Sequence, residues 1–145
     1  MSSNAWIHLH IVFSTKGRLP TIDAAWRPNL YAYLRSVLHA MATHPLAVGG
    51  VDDHVHLLIA VKPTHFFPEV MRDLKAHSSH WVRGTVGFHE FAWQEGYGVF
   101  SVGCHGDATI RRYIEAQEAH HRSRSFEAEL RAMVAAHGEG PGEAV

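Results

Sequence analysis

Residues 5 to 13 alternate between two faces, with Ile7, Leu9, Ile11 and Phe13 on one and Trp6, His8, His10 and Val12 on the other. A period of two predicts a β-strand. The polar stretch Ser14 to Pro20 follows. Asp23 then stands where a helix cap is needed, and Trp26, Leu30, Tyr33, Leu34, Val37, Leu38 and Met41 recur at intervals of three and four up to about Thr43. Two β-rich runs, 46–51 and 54–61, are separated by Asp52-Asp53, a junction short enough for a hairpin. Pro68 suits the first turn of a second helix with an inner stripe of Val70, Met71, Leu74, Ser78, Trp81 and Val82, which Gly84 and Gly87 end. A short strand is expected over 97–102. Asp107 caps a helix expected over about 107–122, carrying Ile110, Tyr113, Ile114, Gln117 and His121, and a last helix over about 125–137 carries Phe126, Leu130, Met133 and Val134. The Gly- and Pro-containing end, 138–145, is expected to fray.

The order strand, helix, strand, strand, helix, strand predicts an α+β fold of the ferredoxin-like, split βαβ kind. Its antiparallel sheet carries two core helices on one face, and further helices follow at the C-terminus. That architecture leaves the second sheet face open for a site or a partner.

Composition narrows the function classes. The 145 residues, 46% hydrophobic and 19% charged, suit one domain spanning 1–145. No apolar run approaches the roughly 18 residues that span a bilayer, and the N-terminus lacks the pattern of a secretory leader, so a cytoplasmic address is expected. The single cysteine, Cys104, excludes an internal disulfide and a cysteine-rich zinc site. A net charge of -1 excludes a uniformly basic nucleic-acid coat, although residues 1–84 are net basic and 85–145 net acidic. The 14 histidines are the outlier and invite metal or acid-base chemistry.

His54 and His56, two apart on a predicted strand, leave the same face and suit a grip on one divalent ion. His8 and His10 have the same spacing, and on the order of one such pair arises by chance at this histidine content, so spacing alone decides nothing. Asp52 and Asp53 precede the pair and are placed to shape the turn or orient a ligand. Tyr113 and Gln117 lie at i and i+4 on one helix face, with His121 one turn on. Such a stripe is either ordinary packing or a phenol nucleophile with an amide ligand beside it. Tyr97 is the rival nucleophile, although its glycine-bounded strand favours packing. Among basic residues near element ends, Lys16, Arg18, Lys75, Arg111 and Arg112 are candidates for phosphate contacts, each of them more often a solvated surface residue.

In order along the chain, HIVFSTKGR (10–18), DHVHLLI (53–59), LKAHSSHW (74–81), WQEGYGVFSV (93–102) and YIEAQEAHH (113–121) resemble the single-tyrosine HUH transposases, the TnpA-type enzymes of insertion sequences that act on single-stranded DNA. The resemblance implies that Tyr113 attacks a DNA phosphodiester to leave a 5'-phosphotyrosine. It implies that His54, His56 and Gln117 hold a divalent metal ion, Mg²⁺ or Mn²⁺, and that no nucleotide cofactor is used. It further implies DNA hairpins at element ends as the partner, action at the bacterial nucleoid, and a homodimer whose active sites are shared between subunits, with Gly103 and Gly106 as the hinge of the exchanged arm. A domesticated relative acting on chromosomal repeat hairpins would use the same residues. A non-catalytic module binding single-stranded nucleic acid would have no use for the four together, and a His-metal hydrolase would need a carboxylate base such as Asp52 or Asp53.

Overall fold

The computed structural model describes residues 3–120 and 125–137. Alternation and helical periodicity act where expected: β1 (His8–Ser14), α1 (Arg27–Ala40), β2 (His44–Gly50), β3 (His54–Ala60), α2 (Phe67–Trp81) and β4 (Gly98–Val102) follow in that order. Three C-terminal helices follow, α3 (Asp107–Glu115), α4 (Gln117–His120) and α5 (Phe126–His137). The sheet runs β2-β3-β1-β4 with every neighbouring pair antiparallel, which is the split βαβ order. Asp23 anchors the entry to α1 through its side chain, which accepts from the Ala25 N–H at 2.8 Å, and Pro28 occupies the first turn. After α2 the chain makes a turn of π-helix over Val82–Val86 and stops at Gly87, whose φ of +88° lies in the left-handed region.

The two faces of the sheet divide as the alternation requires. Ile11, Phe13, Val48, Val55, Leu57 and Ile59 pack with Leu30, Leu34 and Leu38 of α1 and Val70, Met71 and Leu74 of α2 in the main core. The opposite face carries His10, Val12, Ala47, His54, His56 and Leu58.

That second face is not open, and the expectation is corrected here. Ile110, Tyr113 and Ile114 of α3 pack onto Ala47, Leu58 and Val102 in a second cluster, and α5 covers the His54 end, so both histidines are fully buried. The apolar stripe of α3, at i, i+3 and i+4, needs a surface to bury it, and the uncovered side of its own sheet is the nearest one. The tyrosine helix expected over 107–122 is also broken, at Ala116, with α4 continuing from Gln117. The expectations for His121 and for 138–145 lie outside the described residues. Among the described residues no helix is long and apolar enough to cross a membrane.

The close approach of α3 has a specific cause. On the site face, one row across the four strands reads Gly49, His56, Val12 and Gly98. A Cβ added at Gly49 would overlap the backbone carbonyl of Ile114, and one at Gly98 would press on Val12 and approach Leu130 of α5. The missing side chain at Gly49 is the slot in which α3 sits, and the one at Gly98 makes room for Val12 and Phe100. Gly49→Ala is expected to lift α3 and to lower stability by about 1 to 3 kcal/mol, measured by urea denaturation, and to separate Tyr113 from His56 in the spectra of the two rings.

Candidate active site

Strand β3 brings His54 and His56 to one end of the covered face, with Asp53 directly before the strand. The Nδ1 atom of His54 lies 2.6 Å from Asp53 Oδ1, and that of His56 lies 2.8 Å from His10 Nε2. The opposite nitrogens turn to Glu129 of α5: His56 Nε2 is 2.6 Å from Oε1 and His54 Nε2 is 3.8 Å from Oε2. The Phe126 ring, 4.5 Å from that of His54, walls the site on the α5 side. Glu129 is only 1% exposed. A carboxylate so deep is costly unless it is paired, and the two imidazoles are its partners.

His54, His56 and Glu129 each offer one ligand atom, all within 4.8 Å of one another. Two imidazoles and a carboxylate make a donor set that fits a divalent first-row ion. Gln117, the third ligand implied by resemblance, is buried with its amide oxygen accepting no hydrogen bond among the described residues, while its Nε2–H donates to the Tyr113 carbonyl at 3.4 Å. Glu129 was not among the sequence-derived candidates. Its signal lay in the periodicity, since it falls at i+3 from Phe126 and directly before Leu130, within the inner stripe of the helix.

Tyr113 enters from α3. Its ring centroid is 5.6 Å from that of His56 of the same chain and 6.0 Å from that of His10, both edge-on. The helix is fastened at both ends. At its start Asp107 pairs with His8 Nδ1 at 2.8 Å, and the His8 ring stacks on Trp6 at 3.8 Å. Beyond its end Glu118 pairs at 2.8 Å with the Arg27 guanidinium, which also donates to the Ile22 carbonyl. Tyr97 packs against Phe67 at 5.4 Å, in the main core on the far side of the sheet. Gly103 and Gly106 close an ordinary turn, with the Gly106 N–H donating to the Gly103 carbonyl at 2.9 Å.

The candidate phosphate-binding residues separate. Arg111 and Arg112 are exposed on the outer side of α3, and Lys16 is exposed at the end of β1. Arg18 pairs with Glu127 at 2.6 Å and so ties the loop after β1 to α5. Lys75 donates to the carbonyls of Gln94 and Gly96 and lies over the Phe13 and Tyr97 rings, and burial lowers its pKa. Its ammonium therefore braces the loop before β4.

The arrangement defines a class of α+β protein, a split βαβ domain with a His pair, a carboxylate and a tyrosine helix on one face of its sheet. More narrowly, the profile of the family described as "Transposase IS200 like" matches residues 3–117, and the chain belongs to that family. A Deinococcus radiodurans R1 protein described as a transposase superposes with a TM-score of 0.65 at 24% identity, over 81% of this chain and 95% of that one. A REP-associated tyrosine transposase, solved bound to a REP hairpin, superposes with a TM-score of 0.63 at 13% identity, over 100% of this chain and 98% of that one. These likenesses show the fold. No protein of curated function matches the chain in sequence.

Burial, followed by the charge of neighbouring His56 and opposed by that of Glu129, pushes the His10 pKa down to about 3. Folded His10 is thus neutral at pH values where the unfolded ring, with its pKa near 6.5, takes up a proton. The unfolded state binds more protons, so stability falls as pH drops from about 6.5 toward 3, at a slope of up to about 1.4 kcal/mol per pH unit. Urea midpoints between pH 7 and pH 4 should follow this trend, and His10→Leu should flatten it.

Proposed function

We propose that this transposase cleaves and rejoins single-stranded DNA at hairpin-marked ends, with Tyr113 as nucleophile. The observation that carries the reading is Tyr113 set edge-on to His56 beside the His54, His56 and Glu129 cluster. The phenolic oxygen attacks the scissile phosphorus, the bond from phosphorus to the 3'-oxygen breaks, and a 5'-phosphotyrosine and a free 3'-OH remain. Attack by a 3'-OH on the phosphotyrosine reverses the step and seals a new joint, so no hydrolysis is required. His54 Nε2, His56 Nε2 and Glu129 would hold a divalent ion, with the Gln117 amide oxygen as a further donor. Such an ion, when bound, stabilises charge on the phosphate and the attacking oxygen. Exposed Arg111 and Arg112 on α3 suit DNA phosphates. Cytoplasmic action on the nucleoid follows from this substrate.

A chromosomal repeat hairpin as substrate is the second reading. It is supported by the hairpin-bound neighbour that aligns along the whole of this chain.

A labelled hairpin with single-stranded flanks, incubated with Mn²⁺ and run on a denaturing gel, should give a protein-linked band in the parent. Tyr113→Phe should abolish that band at near-parent DNA affinity, because the ring still packs and only the hydroxyl is lost. An adduct in the variant would move the nucleophile elsewhere.

The contact between Tyr113 and His56 within one chain supports a site completed in cis, whereas the family resemblance implies a homodimer with exchanged arms. Mixing Tyr113→Phe with His54→Ala under confirmed subunit exchange separates the two. Cis sites recover no cleavage, and exchanged arms restore one site per mixed dimer.

Glu129→Gln should weaken Mn²⁺ binding by about 10-fold or more, and more than Gln117→Ala does, as read by calorimetry. With two imidazoles among the donors, Mn²⁺ should bind more tightly than Mg²⁺. Excess EDTA should stop cleavage, and full activity in its presence would reject the metal role.

A further inference from the structure

The chain carries two His-x-His pairs, and the site described above uses only one. His10, from the other pair, is 3% exposed and touches His56 at 2.8 Å. In the sheet His56 stands opposite Val12, so His10 is its diagonal cross-strand neighbour, a separation that two long side chains can bridge. The ring is walled by Tyr113 at 6.0 Å and Phe100 at 6.3 Å.

An imidazole that gives its Nε2 lone pair to a cation must keep its proton on Nδ1, and that N–H needs an acceptor. For His54 the acceptor is the Asp53 carboxylate. For His56 the atom in place is His10 Nε2. We infer that His10 is a positioning residue whose Nε2 accepts the Nδ1–H of His56, fixing the tautomer and the ring so that His56 Nε2 faces Glu129 and the ion. The inference rests on the metal-binding reading proposed above.

The choice of a ring over a second carboxylate follows from burial. Glu129 already lies 2.6 Å from His56. Another acid in the same dry pocket would add like charge at high cost, whereas a neutral imidazole accepts the hydrogen bond without adding any. The second pair is therefore not a second metal site. Its two members serve different supports, His10 behind the metal pair and His8 at the start of the tyrosine helix.

The test compares His10→Leu, which removes the acceptor, with His10→Gln, whose amide oxygen reaches the place of Nε2. Mn²⁺ affinity is read by calorimetry, fold by thermal melting, and the His56 ring by ¹⁵N NMR of the Zn²⁺-loaded protein. The expected result is a 10- to 100-fold weaker Mn²⁺ affinity in His10→Leu, near-parent affinity in His10→Gln, and a His56 Nδ1–H signal present in the parent and in His10→Gln only. Parent affinity in His10→Leu overturns the inference and makes His10 a packing residue. So does a folded His10→Gln as weak as His10→Leu. Should His10→Leu fail to fold, the parent spectrum decides, because a Zn²⁺-loaded His56 protonated at Nε2 overturns the assignment. A parent that binds no Mn²⁺ overturns the metal reading and this inference together, whereas a parent that binds while His10→Leu binds equally well overturns this inference alone.

Discussion

The site depends on one steric vacancy, the missing side chain at Gly49 directly across the β2/β3 ladder from His56. Through it the Ile114 carbonyl comes down onto the sheet and carries Tyr113 to the edge of the His56 ring. Gly98, at the other end of the same row, leaves room for the Val12 and Phe100 side chains, with Leu130 of α5 at ordinary contact distance. An edge-strand glycine, Gly49, therefore sets the distance between the metal-pair strand's neighbour and the tyrosine helix. Edge strands tolerate this loss of packing because each has a single paired neighbour and a helix to cover it.

Burial then raises the stakes for every polar group on that face. His10, His54, His56, Gln117 and Glu129 are all nearly inaccessible to water. Each polar atom in such a place requires a partner, and the spacing of the strand residues supplies most of them. The ion pairs that fasten α3 lie at its two ends, outside the pocket. Asp107 with His8 and Glu118 with Arg27 hold the helix that carries Tyr113.

Much of this was legible in the chain. Alternation gave β1 and placed His10 and Val12 opposite the core, and His54-Val-His56 gave two rings on one face because a strand has a period of two. Tyr113 was marked by its place in an amphipathic helix and by resemblance. Glu129 shares the inner stripe of Phe126 and Leu130, but a carboxylate in an apolar stripe marks a site only once the histidines beneath it are known. The covering of the second face is not legible for a related reason. Counting two core helices balances a split βαβ sheet, and nothing local says where a third amphipathic helix will dock. The break at Ala116 is likewise not legible, since it lies between two tertiary contacts, Ile114 against Gly49 and Glu118 with Arg27.

Asp53, His54, Glu129, His56 and His10 stand in an unbroken row, with successive polar atoms 2.6 to 3.8 Å apart. Glu129 supplies two of the four links in the row, so a displacement of α5 opens both at once. The row spans two strands and a helix, and it is continuous only while β1, β3 and α5 keep this alignment.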